Sequence, residues 1–208
     1  MKVAAVDNGT NTVRLVLAEA TRSGDEIGLT RIRRHAVITK LGEGLEATGV
    51  LGEEPMDRAL AGLNHYAQLI TDFGAEAMGG VATAATRNAG NGVEFTEHVA
   101  ESLGFLPRVI DGVEEARLTF LGATANLHTG DGYGVIDVGG GSTEFVLGYE
   151  LPEYAVSIDI GSVRLTERIL EMGMQDPSAI RAYVDELFAE VIAPMAPTAV
   201  LGSGGPCV

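Results

Sequence analysis

Asp137-Val138-Gly139-Gly140-Gly141-Ser142-Thr143-Glu144 sits between two short apolar runs, Val135-Ile136 and Phe145-Val146-Leu147. Apolar runs this short, interrupted by glycine, read as two strands joined by a turn rather than as one helix. Three successive glycines let the backbone turn tightly and present N–H groups to an anion with no Cβ in the way. Ser142 and Thr143 add hydroxyl donors for phosphate oxygens. Asp137 ends the first strand and Glu144 begins the second. Two carboxylates so placed suit a hydrated Mg²⁺, which keeps several waters and bridges to a substrate phosphate. A Gly-rich hairpin carrying exposed acids fits the same residues.

The N-terminus repeats the pattern. Asp7-Asn8-Gly9 precedes Val16-Leu17 at the offset by which Asp137-Val138-Gly139 precedes Val146-Leu147. In the first copy Gly9 permits close approach, Thr10 and Asn11 offer side-chain donors, and Arg14 follows. Duplicated strand-turn-strand units imply two related lobes facing a cleft, although Asp-x-Gly turns are common enough for two unrelated hairpins. Neither turn has the Walker A spacing or the dinucleotide GxGxxG pattern, which disfavours a P-loop enzyme and a Rossmann dehydrogenase.

Between and beyond these turns, strand-like and helix-like segments alternate, the pattern of an α/β protein. Strands are expected at Val3–Val6, Val13–Ala20, Gly28–Thr39, Ala77–Ala82, Arg108–Ile110, Tyr154–Ile160 and Ala199–Leu201. Pro55 reads as a first helical residue, with Leu60, Leu63, Ala67, Ile70 and Phe73 on one face. Further helices are expected over Val93–Leu103, Glu114–Leu127, Val163–Glu171 and Ser178–Ile192. The predicted division is a first lobe over residues 1–125 and a partial second lobe over 126–208. The sequence stops just after Gly202-Ser203-Gly204-Gly205, where a covering helix is expected, so a fragment is anticipated.

Two other segments carry candidate chemistry. In Thr83–Asn91, Arg87 and Asn91 are four apart and would share a face if that stretch were helical, with Arg87 able to grip a phosphate bidentately. A surface arginine and an N-cap asparagine fit equally. Glu114-Glu115-Ala116-Arg117 opens a predicted helix. Acids are favoured there by the helix dipole alone, and a general base would also sit well there.

Composition narrows the class. The net charge of −15 argues against nucleic acid as a partner. Residues 1–40 hold seven basic against four acidic side chains, including Arg31, Arg33 and Arg34, and so carry +3 within an acidic chain. That is either a solvated strand face or a basic lip that offsets repulsion of a polyanion. No run approaches the roughly 18 apolar residues of a membrane span, so no membrane partner is expected, and a cytoplasmic location is. The single cysteine, Cys207, has no intrachain partner, and no CxxC spacing suggests zinc.

Together these segments resemble the exopolyphosphatase and guanosine pentaphosphate phosphatase family of the actin-like fold. The resemblance runs along nearly the whole chain: Asp7–Asn11, Leu41–Leu45, Val81–Asn91, Glu114–Arg117, Val135–Gly148 and Gly161–Arg168. The pairing of EEAR with DVGGGSTEF is its most specific element. The resemblance implies Glu115 as the base that activates water for in-line attack on a terminal phosphorus. It implies Asp137 and Glu144 as the acids that position Mg²⁺ and that water. Gly9, Thr10, Asn11 and Arg87 from one lobe, and Gly139, Gly140, Ser142 and Thr143 from the other, would hold phosphate. The implied substrates are inorganic polyphosphate or guanosine pentaphosphate. A non-catalytic binding protein is the alternative class, and a kinase using ATP is less favoured. Two departures stand out. Asn8 occupies a position where the family usually carries an apolar residue, and Pro206-Cys207-Val208 replaces a longer continuation. An incomplete second sheet would expose an edge that favours self-association, so a homodimer is a further expected partner.

Overall fold

The computed structural model describes residues 1–24, 26–127, 132–192 and 200–204, with backbone only for residues 26, 190–192 and 200–204. Cys207 and the Gly205 end of the last Gly-rich stretch lie outside the described residues. The chain forms two compact units, Met1–Ile110 and Asp111–Val208. Among the described residues no helix is long and apolar enough to cross a membrane.

Unit 1 is built on a five-stranded sheet. Strands β1 (Lys2–Asn8), β2 (Thr12–Ser23) and β3 (Glu26–Ile38) run antiparallel, while β4 (Ala77–Ala82) and β5 (Arg108–Val109) extend it in parallel, in the order β3-β2-β1-β4-β5. Period-two alternation sets the buried face: Ala4, Val6 and Asn8 of β1 share it with Val13, Leu15 and Leu17 of β2. After β3 a short helix, α1 (Leu45–Thr48), precedes α2 (Glu53–Phe73). Helix α2 contributes Leu63, Tyr66 and Ile70 to the core. It starts two residues before Pro55, which lies within the first turn, where a missing N–H costs no helical bond. Helices α3 (Ala84–Asn88) and α4 (Gly92–Leu103) follow β4, and Phe95 and Val99 of α4 complete the core. The β2 and β3 strands form one long hairpin rather than two separated strands. A register shift between Leu17 and Glu19 accommodates an extra residue on β3, where Arg31 adopts φ 51°.

Unit 2 opens with α5 (Gly112–Thr124), capped by Asp111, whose side chain accepts the Glu114 N–H at 2.7 Å. The Asp111-to-Glu114 spacing is the sequence signal for that start, and the sequence reading passed over it. Strands β6 (Tyr133–Val138), β7 (Thr143–Gly148), β8 (Pro152–Ile158) and β9 (Val200–Gly204) form a sheet in the order β8-β7-β6-β9. Strands β6 to β8 are antiparallel and β9 lies parallel to β6. Ala116 and Phe120 of α5 pack on Val135 and Val146. On the opposite face Phe145 meets Phe188 of α7 (Pro177–Ile192) edge-on at 5.6 Å. Helix α6 (Ser162–Glu171) lies between β8 and α7 in sequence.

The units divide at Ile110, earlier than the boundary after residue 125 expected from sequence. Helix α5 buries its apolar face against β6 and β7, so residues 111–124 belong with the second sheet.

The duplication is visible in topology. The order β8-β7-β6-β9, with its strand senses, reproduces β3-β2-β1-β4. The turns match atom for atom in their closing bond: Gly9 N–H donates to Thr12 O at 3.2 Å, and Gly139 N–H to Ser142 O at 3.0 Å. Asp7 faces Arg14 across the first ladder, and Asp137 faces Glu144 across the second.

Candidate active site

In unit 1 the turn between β1 and β2 is buttressed from two sides. Gly9 is obligatory, because a Cβ there would stand 2.8 Å from Thr12 O. Thr10 is buried. Its Oγ1 accepts the Ala85 N–H of α3 at 3.2 Å, and its carbonyl accepts the Gly42 N–H at 2.9 Å. A side chain at Gly42 would collide with Thr10 Cγ2. The Leu41–Leu45 loop therefore wraps the Thr10 turn closely, which accounts for its glycine. As an acceptor from Ala85, the Thr10 hydroxyl keeps its own proton to donate. Asn11 uses its carbonyl to receive both Thr39 N–H and Lys40 N–H at 3.0 Å. Lys40 takes φ 51° to make this contact, a strained conformation for a residue with a Cβ. Asp7 and Arg14 form a half-exposed ion pair at 3.3 Å.

Arg87 and Asn91 do not share a helical face. Helix α3 ends at Asn88, and Ala89 is extended (φ −82°, ψ 136°). Asn91 stands at the N-cap position of α4 and clamps Leu51, accepting its N–H at 2.8 Å and donating to its carbonyl at 3.0 Å. Asn91 is thus an architectural residue. Arg87 directs one guanidinium nitrogen to Ile110 O at 2.8 Å, anchoring α3 to the segment that follows β5.

In unit 2 three of the four acids of the EEAR and DVGGGSTE segments, Glu115, Asp137 and Glu144, are gathered on one side of the sheet. Asp137 and Glu144 are partners in the β6–β7 ladder and share the face of Val135 and Val146, which α5 covers. Thr119 of α5 donates to Asp137 Oδ2 at 3.2 Å. Glu115 lies one helical turn before Thr119 and so on the same face of α5. Glu144 is 1% exposed, and Ser157 of β8 donates to its Oε1 at 2.6 Å. Thr119 and Ser157 were absent from the sequence reading. No local motif marks them, and only helix phase and strand register bring them to the acids.

The Gly-rich turn rests on the start of α6. Ser162 N–H donates to Gly139 O at 2.9 Å, and Val163 and Arg164 N–H donate to Gly140 O at 2.9 and 3.1 Å. Both carbonyls are thereby satisfied by the helix N-terminus. Among the described residues neither Gly140 N–H nor Gly141 N–H meets a backbone acceptor, so these amides are the donors the turn can offer an anion. Ser142 and Thr143 are both buried. The Thr143 hydroxyl donates to Ile160 O at 2.6 Å, which commits its single proton and corrects its expected part as a phosphate donor. Arg164 is nearly buried and pairs with Asp159 at 2.9 Å, tying α6 back to the end of β8.

Among the described residues no three His, Cys, Asp or Glu side chains converge on a point that could hold a metal ion. Asp137 with Glu144 supplies two carboxylates instead. That donor set fits a hard cation held chiefly by water and substrate phosphate, and it does not fit a cage made by protein alone.

The Ppx/GppA phosphatase family model matches residues 18–203. Exopolyphosphatase 2 of Mycobacterium tuberculosis is 41% identical over 194 residues, covering 89% of this chain and 61% of that protein. Exopolyphosphatase 1 of Mycobacterium leprae is 30% identical over 172 residues, covering 82% of this chain and 50% of its own length. The chain thus spans about three-fifths of the longer of these matches. Among solved structures, an exopolyphosphatase from Cytophaga hutchinsonii superposes with a TM-score of 0.84 at 27% identity, covering 99% of this chain and 67% of that one. The Aquifex aeolicus PPX-GPPA enzyme gives 0.75 at 32% identity, covering 99% and 68%. The PilM-PilN type IV pilus complex, with a TM-score of 0.51 at 15% identity, shares the fold alone. The matched residues include both EEAR on α5 and DVGGGSTE on β6–β7 and span well over half of the sequence, and this chain belongs to the Ppx/GppA phosphatase family.

Proposed function

We propose that this chain carries the catalytic residues of a phosphoanhydride hydrolase that removes the terminal phosphate of inorganic polyphosphate as orthophosphate. Glu115 takes a proton from a water molecule, whose oxygen attacks the terminal phosphorus in line with the bridging oxygen. The bridging P–O bond breaks, and the shortened polyphosphate leaves with the electron pair. Asp137 and Glu144 orient the water and hold Mg²⁺, which when bound neutralises charge on the phosphate oxygens. In unit 2 the Gly140 and Gly141 amides, with Ser142, face the anion. Gly9, Thr10 and Asn11 form the equivalent turn of unit 1. Positioning and charge neutralisation account for nearly all of such catalysis.

The observation that carries this reading is the alignment of the acids within unit 2. Thr119, one turn beyond Glu115, donates to Asp137, and Asp137 stands opposite Glu144 in the ladder. The names of the matched relatives support the substrate class. Guanosine pentaphosphate presents the same terminal phosphoanhydride, so the assay carries it as a parallel arm.

The test is orthophosphate release from long-chain polyphosphate and from guanosine pentaphosphate, with Mg²⁺ or with EDTA, for the parent chain and Glu115→Gln. The expected result is Mg²⁺-dependent release that falls about 100- to 10,000-fold in the variant while polyphosphate binding stays within about threefold. A variant rate within tenfold of the parent's would remove Glu115 as the base. Faster turnover of guanosine pentaphosphate than of polyphosphate would reassign the substrate.

A further inference from the structure

Glu144 is shielded from solvent almost completely, at 1% exposure. A buried carboxylate is tolerated only when it is hydrogen-bonded. One of its donors is Ser157, directly opposite it in the β7–β8 ladder. The 2.6 Å separation lies at the short, charge-assisted end of the O–H···O⁻ range, the geometry expected when the acceptor is ionised. The register that creates this contact is pinned nearby, where Thr143 O–H reaches Ile160 O at 2.6 Å beyond the end of β8. Slipping β8 by one residue would turn Ser157 to the opposite face, so the pairing is specified by the sheet.

Resting on the functional reading above, we propose that Ser157 is a positioning residue: its hydroxyl holds the Glu144 carboxylate in the one orientation that serves the reaction. Ser157 touches no substrate. It occupies Oε1 and fixes the plane of the carboxylate, so the remaining lone pairs point in a set direction. Without the hydroxyl, Glu144 keeps its burial and its place in the ladder but gains freedom about its terminal torsion. Near-attack geometry is sensitive to displacements of this size, whereas binding of a long polyanion by the rest of the site is not.

The experiment compares Ser157→Ala, Ser157→Thr and Glu144→Gln in steady-state polyphosphate hydrolysis. Loss of one charge-assisted hydrogen bond predicts a kcat lowered about 10- to 100-fold in Ser157→Ala with KM within about threefold. Threonine restores the hydroxyl on a residue suited to a strand, and is expected to return kcat to within about fivefold of the parent. An inactive Glu144→Gln alongside a Ser157→Ala that turns over at the parental rate would overturn the positioning inference alone. A Ser157→Ala defect that raises KM in step with the fall in kcat, and that threonine fails to rescue, would show a merely structural role and also overturn it. Full activity in Glu144→Gln would instead bring down the functional reading on which the inference stands.

Discussion

Replacing Asn8 with leucine should stabilise unit 1. Asn8 is 1% exposed on the core face of β1, beside Val6 and Ala4, and neither its Oδ1 nor its Nδ2 has a hydrogen-bond partner among the described residues. An amide buried without compensation costs about 1–3 kcal/mol by mutational measures. Leucine has the same number of side-chain heavy atoms and the same branch point at Cγ. It removes that cost and converts two polar atoms into buried methyl groups, about 1.5 kcal/mol more. The tetrahedral Cγ must fit where a planar one sits, and repacking returns about 1–2 kcal/mol of strain. The net expectation is about 2 kcal/mol of stabilisation, or a Tm about 4–8 °C higher. Urea unfolding followed by far-UV circular dichroism measures it, with an unchanged m-value as the check that only stability moved. Asn8→Asp is the counter-variant and should be strongly destabilising at neutral pH, since the same pocket would then hold a charge. A leucine variant equal to or less stable than the parent would refute the reasoning, because it would mean that the amide is satisfied, by a buried water for instance.

Two further outcomes follow from the packing. Tyr66 is fully buried and donates to Val13 O at 3.0 Å; burial pushes its phenol above the ordinary value, with Arg14 opposing in part. A pKa raised by folding stabilises the protein below the unfolded value, near 10, and the contribution is lost as pH rises through the folded value. Tyr66→Phe should therefore cost about 1–2 kcal/mol at neutral pH and shrink the loss of stability above about pH 10, read from urea midpoints at the two conditions. Gly161→Ala should destabilise unit 2 by about 2–3 kcal/mol and weaken phosphate binding, because the added Cβ would stand 2.5 Å from Gly140 C and 2.7 Å from Gly139 O. The backbone there is extended (φ −148°, ψ 177°), so the penalty is steric and not torsional. A variant with parental stability and binding would show that the Gly-rich turn can move aside.

The strand-turn-strand units were legible because every ingredient is local: alternating apolar residues, glycines where a Cβ would collide, acids at strand ends. The helices were legible from their apolar spacing. What the sequence withheld is tertiary. The apolar face of α5 does not say which sheet it covers, so residues 111–124 read as part of the first lobe, whereas Ala116 and Phe120 pack against Val135 and Val146 of the second sheet. Arg87 and Asn91 looked like a pair because they are four apart, but Ala89 breaks the helix between them. Thr143 reads as a phosphate donor from its place in GGGSTE, yet its proton goes to Ile160. Ser157 and Thr119 are ordinary hydroxyls in their own segments.

The duplicated turns have diverged at one position with a large electrostatic consequence. In unit 1 the acid at the end of the first strand faces a cation, Asp7 opposite Arg14 at 3.3 Å, so that turn is neutralised internally. In unit 2 the equivalent acid, Asp137, faces another acid, Glu144. Like charges opposed in a ladder are destabilising, and more so when one is shielded from water. The sheet offsets this in part with hydroxyls from two other elements, Thr119 on α5 and Ser157 on β8. An arginine at position 144 would have relieved it without change of fold, as Arg14 does in the first copy. The two copies thus keep the same turn and differ in the residue that faces its first acid, a cation opposite Asp7 and a second acid opposite Asp137.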